Sequence, residues 1–210
     1  MGIIYGLVSA FSYALVGIFS KLLSDKAKNP VLMASLYQFG SGIMFLFFFP
    51  FEPQSANITG ETLILTFFTV IGYSLFNVLG FLSNKYLDVS YIGILSLLTI
   101  VITFLGSLIF LREEATAPKV VGAILILIGN AVLTAKLSSK PKINSKGLIL
   151  RLGAILFLSS SLLIDGRNAV NFTIPLYGFI TYLTPGILTF IFSRAHVREI
   201  VPAIKNNFVQ

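Results

Sequence analysis

Cysteine and tryptophan are absent, and histidine occurs once, at His196. Without cysteine there is no disulfide framework and no thiolate to act as nucleophile or metal ligand, and the redox compartment cannot be read. A single histidine removes most nucleophile–base pairs as well. No segment carries His-Glu-x-x-His, a Gly-x-Ser-x-Gly elbow, or a cluster of acids or histidines suited to a metal. The chain therefore offers no catalytic residue, no metal ligand and no cofactor motif, and it is not expected to be an enzyme. Charge is scarce too. Only 11% of the residues are Asp, Glu, Lys or Arg, against about 25% in a soluble domain.

What fills the chain instead is apolar: 56% of residues are hydrophobic and the mean hydropathy is +0.91. Val89–Leu111 carries no charge and exceeds the roughly 20 residues that cross a bilayer as a helix. Ala117–Ala135 is almost as long and uncharged after Lys119. Between them, Arg112, Glu113 and Glu114 form a short polar turn, with Thr116 as an N-cap and Pro118 in the first turn, where its missing N–H costs nothing. Further apolar segments run over Met1–Leu23, Val31–Pro50, Glu61–Asn84, Gly147–Gly166 and Pro175–Ser193. Backbone polar groups in lipid must pair within their own segment, so runs of this length imply helices. The first lacks a basic leader and a cleavage site and is expected to be retained. The expected fold is an all-α, polytopic membrane helix bundle with seven crossings, and the tail Arg194–Gln210 is read as polar and basic. In a membrane protein the net charge of +7 bears on orientation, not on nucleic acid.

At an offset of about 144–145 residues, Ala10 meets Ala154, Tyr13 meets Phe157, Pro30 meets Pro175 and Tyr37 meets Tyr182. The Pro-containing basic stretch 138–146 separates the two copies. The expected organisation is a first repeat over 1–137, a linker over 138–146 and a partial second repeat over 147–210.

The hairpin Leu87–Ala135 resembles one family. Leu111-Arg112-Glu113, Thr116 and the run from Gly122 to Gly129 stand where EamA-type members of the drug/metabolite transporter superfamily carry Leu-Gly-Glu, a turn threonine and a glycine-rich helix. Two departures stand out: Arg112 replaces the usual Gly, and Ile100 stands where the family often has Pro. The resemblance implies two inverted five-helix repeats, the design of many secondary transporters. Seven helices of an expected ten are then present, and the reading frame is expected to continue through three more. It also implies a secondary transporter or exporter of a small metabolite or drug-like solute, working by alternating access, in the plasma or inner membrane.

Orientation is read from Lys and Arg in short loops. Of the 15 such residues, all but Arg112, Lys119 and Arg167 fall after the first, third, fifth and seventh segments, counting Arg151. The bias places the N-terminus outside, whereas the resembled family usually has it inside.

Polar residues inside the membrane are costly and face a cavity or a partner. Tyr73, Asn77 and Asn84 share a face of the third segment; Ser96, Thr99 and Thr103 form a stripe along the fourth. With Tyr13, Gln38 and Tyr182 they make a candidate pocket for a small amphiphilic solute. Interhelical packing explains the same residues equally simply. Asp165 is a candidate proton-coupling carboxylate, or else half of an interfacial pair with Arg167 or a solvated helix-end acid. Lys21 reads as a helix-end lysine reaching for the interface.

Three function classes remain: a solute carrier, a membrane-embedded enzyme, and a non-transporting structural or receptor subunit. No ATP-binding loop is present, which argues against primary active transport. The expected partners are a small solute and the lipid bilayer, with no nucleic acid, and a homodimer stays open.

Overall fold

Two of the helices start on proline. Pro30 opens α2 (Pro30–Leu46) behind the Asn29 N-cap, and Pro175 sits in the first turn of α7 (Ile174–Ser193) behind Thr173. The missing N–H is harmless there and the fixed φ suits a helix. The computed structural model describes residues 2–137 and 144–208. The other helices are α1 (Gly2–Lys26), α3 (Gly60–Asn84), α4 (Val89–Phe110), α5 (Ala117–Leu137), α6 (Ser145–Asn168) and α8 (Ile200–Phe208). Among the described residues the only strand-like pairing is the bridge Ala56–Phe172. The architecture is the all-α bundle expected.

Among the described residues, five helices, some extended by a 3-10 turn, are long and apolar enough to cross a membrane: Pro30–Phe51, Gly60–Asn84, Val89–Phe110, Ser145–Asn171 and Ile174–Ser193. α1, with 25 residues, and α5, with 21, stand where the first and fifth crossings are expected. Boundaries shift slightly. The part of the linker at 138–143 lies outside the described residues, and α6 begins two residues before Gly147. Asn144 explains the earlier start, because its side chain accepts from the Lys146 and Gly147 amides. The tail read as polar and basic carries a helix, Ile200–Phe208, with apolar Val201 and Ile204 exposed.

Helix pairing is set by small residues. α2 and α7 run antiparallel, with Ser35 Oγ donating to the Gly186 carbonyl at 2.9 Å. A Cβ on Gly42 would stand 2.9 Å from the Leu183 amide nitrogen, so only glycine permits this approach. The contacts come in symmetric couples. Gly42 meets Leu183, and 144 residues away in each chain direction Gly186 meets Phe39. Gln38 accepts from Thr189, and the equivalent couple, Tyr182 and Phe45, stacks with centroids 5.7 Å apart.

α6 packs antiparallel to α3, where Gly72 lies against Ser161, and parallel to α4, where Gly106 lies against Leu163. The surface and interior are inverted relative to a soluble protein. Phe47, Phe51, Phe67, Ile109, Phe110 and Ile149 are all exposed, whereas Ser24, Ser35, Thr69, Ser83, Ser159 and Thr189 are fully or almost fully buried. With lipid outside there is no hydrophobic drive between helices, and small hydroxyl residues that bond along or across helices supply the packing.

The two ends differ. At one, Ala27, Met33, Ala34 and Phe81 form a small core. Lys21 is there too, and it does not reach outward: its ammonium donates to Asp25 at 2.6 Å and to the Asn84 carbonyl at 2.5 Å, capping the end of α3. A cation is favoured at a helix C-terminus, where unpaired carbonyls concentrate negative charge. At the other end the 51–59 and 169–173 loops join through Asn57 N–H to the Asn171 carbonyl at 2.8 Å and Thr173 N–H to the Ser55 carbonyl at 3.0 Å. The α4–α5 turn places Arg112 at φ 53°. That is the left-handed region that favours glycine, which gives a physical reason for the Gly of the resembled motif.

Candidate functional site

Asp165 lies in the last turn of α6, one turn inside the loop-bearing end. α3 turns Thr69 and Tyr73, a helical turn apart, towards it. α7 delivers Tyr177 from its first turn, fixed by the Tyr177 N–H to Thr173 carbonyl bond of 2.9 Å. Tyr177 donates its hydroxyl to Asp165 Oδ1 at 2.6 Å and Thr69 donates to the same oxygen at 3.4 Å. Tyr73 donates to Oδ2. The Phe172 ring covers Tyr177 with centroids 5.2 Å apart. Three helices therefore converge on one half-buried carboxylate.

The expected Asp165–Arg167 pair does not form. Arg167 points outward and pairs with Glu61 on α3 at 2.6 Å, both side chains exposed. Among the described residues no ion pair includes Asp165. An Asp at the centre of a membrane helix costs about 2.5–3.5 kcal/mol on insertion scales, which is an upper bound for Asp165, near the helix end. Each hydrogen bond to a charged group returns about 1.5–3 kcal/mol, so three hydroxyls are enough to hold the anion without a cation. The same hydroxyls can accept as well as donate. The cluster can therefore hold the carboxyl with or without its proton.

A second polar region lies along α6 where it packs against α4. Thr99, Thr103 and Ser107 line a cleft of about 390 Å³ together with Ile100, Phe104, Leu162 and Gly166, and Leu111 and Glu113 border it as well. It runs towards a wider opening of about 610 Å³ at Phe110–Glu113 and Arg167. The hydroxyls of Thr99 and Thr103 are buried and make no hydrogen bond. The Thr99 carbonyl accepts from Ser159 at 3.4 Å. Below Thr99, Ser96 donates to the Ile92 carbonyl at 2.6 Å and accepts from Arg151 Nη2.

Arg151 is the residue the sequence misplaced. Counted among the basic loop residues, it is instead only 8% exposed, two turns into α6 between α3 and α4. The signal was present: Arg151 shares a helical stripe with Ala154, Leu158 and Asp165, spaced three, seven and fourteen residues on, and the first two are buried. Ser107, one turn beyond Thr103 on the same stripe, was also omitted, as were Thr69 and Tyr177, whose hydroxyls meet Asp165 only through long-range packing or across a helix boundary.

The remaining expected residues disperse. Asn77 is buried and donates to the Tyr73 carbonyl of its own helix at 2.8 Å. Gln38 and Tyr182 sit in the α2–α7 interface, on Thr189 and Phe45. Tyr13 belongs to α1, and its side chain lies outside the described residues. The structure thus brings Tyr73 to Asp165 and sets Thr99 and Thr103 in the cleft.

Long apolar helices whose few polar groups meet inside the bundle define an integral, multi-pass membrane protein. The model of the EamA-like transporter family matches residues 1–135, helices α1 to α5. The chain belongs to that family, whose members are membrane transporters of small solutes. No curated protein and no solved structure matches it.

Proposed function

We propose that the protein is a secondary transporter that moves a small amphiphilic solute by alternating access across a plasma or inner membrane. Asp165 is its proton-exchanging group, and Tyr73, Asn77, Thr99 and Thr103 border the solute path. The observation that carries the reading is the Asp165 cluster. A carboxylate inside a membrane helix takes neutral donors from α3 and α7, so loading or removing its proton changes the bonds that tie three helices together. A proton can bias a conformational equilibrium only through such differential contacts. The α2–α7 and α3–α6 seams, packed on glycine and hydroxyl residues, are where helices can shift without exposing apolar side chains to polar ones.

The test is accumulation of labelled amino acids, nucleosides and organic acids by proteoliposomes of the intact protein under an imposed pH gradient. Wild type is expected to concentrate at least one solute against its gradient. Asp165→Asn is expected to lose gradient-driven accumulation and to keep solute-for-solute exchange. Undiminished accumulation by Asp165→Asn removes the coupling role.

A further inference from the structure

Beyond α7 the chain turns sharply at the lysine-rich end of the bundle. Arg194 closes α7 with φ 52°, in the left-handed region, so the backbone leaves the helix axis there. Asn29, the N-cap of α2, pins that corner by donating to the Ser193 carbonyl at 2.9 Å. The His196 N–H then donates to Glu199 Oε1 at 3.0 Å, and the chain re-enters a helix through Val197–Glu199 into α8. A membrane crossing that ends at Ser193 leaves α8 at the depth of the head groups. We infer that α8 lies flat in that layer and, with the basic residues around it, binds anionic phospholipid. The inference rests on the chain spanning a membrane and is independent of the transporter reading.

Three features point this way. Val197, Val201 and Ile204, spaced four and three residues apart, form an apolar stripe that is 70%, 71% and 42% exposed. Ala203, on an adjacent face, packs against the small core of Ala27, Met33, Ala34 and Phe81, which ties α8 to the ends of α1, α2 and α3. One face therefore holds the helix to the bundle while the stripe stays open. Beside it, Lys26, Lys28, Lys85, Arg194 and Arg198 are all exposed, and among the described residues none of them belongs to an ion pair. The acids at this end do little to offset them. Asp25 is held by Lys21, and Glu199 is engaged with the His196 amide. An apolar stripe flanked by cations is the pattern of a helix lying in the interface. Lipid phosphates supply the complementary charge, and arginine matches phosphate oxygens with a planar fork. Three aliphatic side chains fall short of the roughly 800 Å² that each partner buries in a stable protein complex. This is also the end that the charge bias assigns to the cytoplasm, where the leaflet is anionic.

The chain has no tryptophan, so Ile204→Trp places a single fluorescent reporter on the stripe. The full chain carrying it is placed in nanodiscs of mixed phosphatidylcholine and phosphatidylglycerol, with brominated acyl chains on one lipid or the other. Bromine quenches tryptophan only at contact. Both lipids are expected to quench the reporter, and brominated phosphatidylglycerol to quench it more strongly at equal proportion. Arg198→Gln, added to the reporter protein, is expected to reduce that preference by up to about fivefold and to leave quenching by phosphatidylcholine in place. Arg194→Asn does the same at a position where asparagine tolerates the left-handed backbone. Should neither variant fold, sodium chloride added to the reporter protein itself is expected to erode the preference by screening. Equal quenching by the two lipids, or a preference indifferent to both substitutions and to salt, overturns the inference. So does an unquenched reporter: red emission would leave the stripe in water, and blue emission would mean that protein covers it. Loss of the preference in sodium phosphate but not in sodium chloride of equal ionic strength would make the guest free phosphate, and overturns it as well.

Discussion

Tyr177 donates to Asp165 from twelve residues further along the chain, at 2.6 Å, while Tyr73 reaches the other carboxylate oxygen from α3. The pair clamps the carboxylate across two helix interfaces at once. Removing either phenol hydroxyl leaves the ring to fill its space and takes away one bond to a charged group. Tyr177→Phe is therefore expected to destabilise the protein in detergent by about 1.5–3 kcal/mol. Because both tyrosines share one acceptor, Tyr73→Phe combined with Tyr177→Phe should depart from additivity by about 0.5–3 kcal/mol. Thermal unfolding of the four members of the cycle measures it. Strict additivity would mean that the two hydroxyls do not act on the same group.

What the sequence made legible here follows the range of each interaction. Helix starts at Pro30 and Pro175 depend on the proline itself and one preceding cap, so they can be read locally. The 144-residue offset was also legible, and the α2–α7 contacts repeat it. The partners of Asp165 on α3 lie 92 and 96 residues away, and no local pattern encodes them. Arg167, two residues away, was the natural partner on the sequence, but it lies beyond the end of the seam and finds Glu61. Arg151 was hidden for the related reason that a basic run beside it, Lys140 to Lys146, resembles a solvated loop. Lys21 was taken for an outward-reaching lysine because the Asn84 carbonyl that holds it is far away in sequence.

The α2–α7 interface yields a graded prediction. Gly42 faces the Leu183 backbone, where an added Cβ would stand 2.9 Å from nitrogen, whereas at Gly186 the nearest atom would be 3.3 Å away and at Gly40 nothing lies within 4 Å. Gly42→Ala must push backbone aside, at a cost of about 1–3 kcal/mol. Gly40→Ala meets open space and gains helix propensity, about 1 kcal/mol in the opposite direction. The expected order of melting temperatures is Gly40→Ala highest, Gly186→Ala intermediate and Gly42→Ala lowest. Equal values for the first and last would show that α2 and α7 are not in contact at Gly42.

Arg112 should tolerate one substitution well. Its φ of 53° lies where a side chain costs about 1–2 kcal/mol and glycine costs little. Its neighbours are already anchored, since the Leu111 and Glu113 amides both donate to the Ser107 carbonyl. Arg112→Gly is expected to raise the melting temperature, or at worst to leave it unchanged where the added freedom of the unfolded chain offsets the relieved strain. A drop in stability would mean that the guanidinium makes a compensating contact at the mouth of the α4–α6 cleft.

Membrane orientation follows from charge and parity together. The 51–59 loop and the 169–173 loop are bonded to one another, so they emerge on the same side. That side carries Arg167 and, beyond α4, Arg112 and Lys119, whereas most lysines and arginines belong to the opposite end. Arg151 drops out of the comparison because it is buried, and the asymmetry survives its loss. Positive residues are retained in the cytoplasm, so the bonded loops are expected outside, and the N-terminus with them. A reporter active only in the cytoplasm, inserted into 138–143 of the intact protein, is expected to work, and the same reporter inserted at Ser55 is expected to be silent. Activity at Ser55 with silence in 138–143 would place the N-terminus in the cytoplasm. It would also mean that the positive charges of this chain are held outside against the rule.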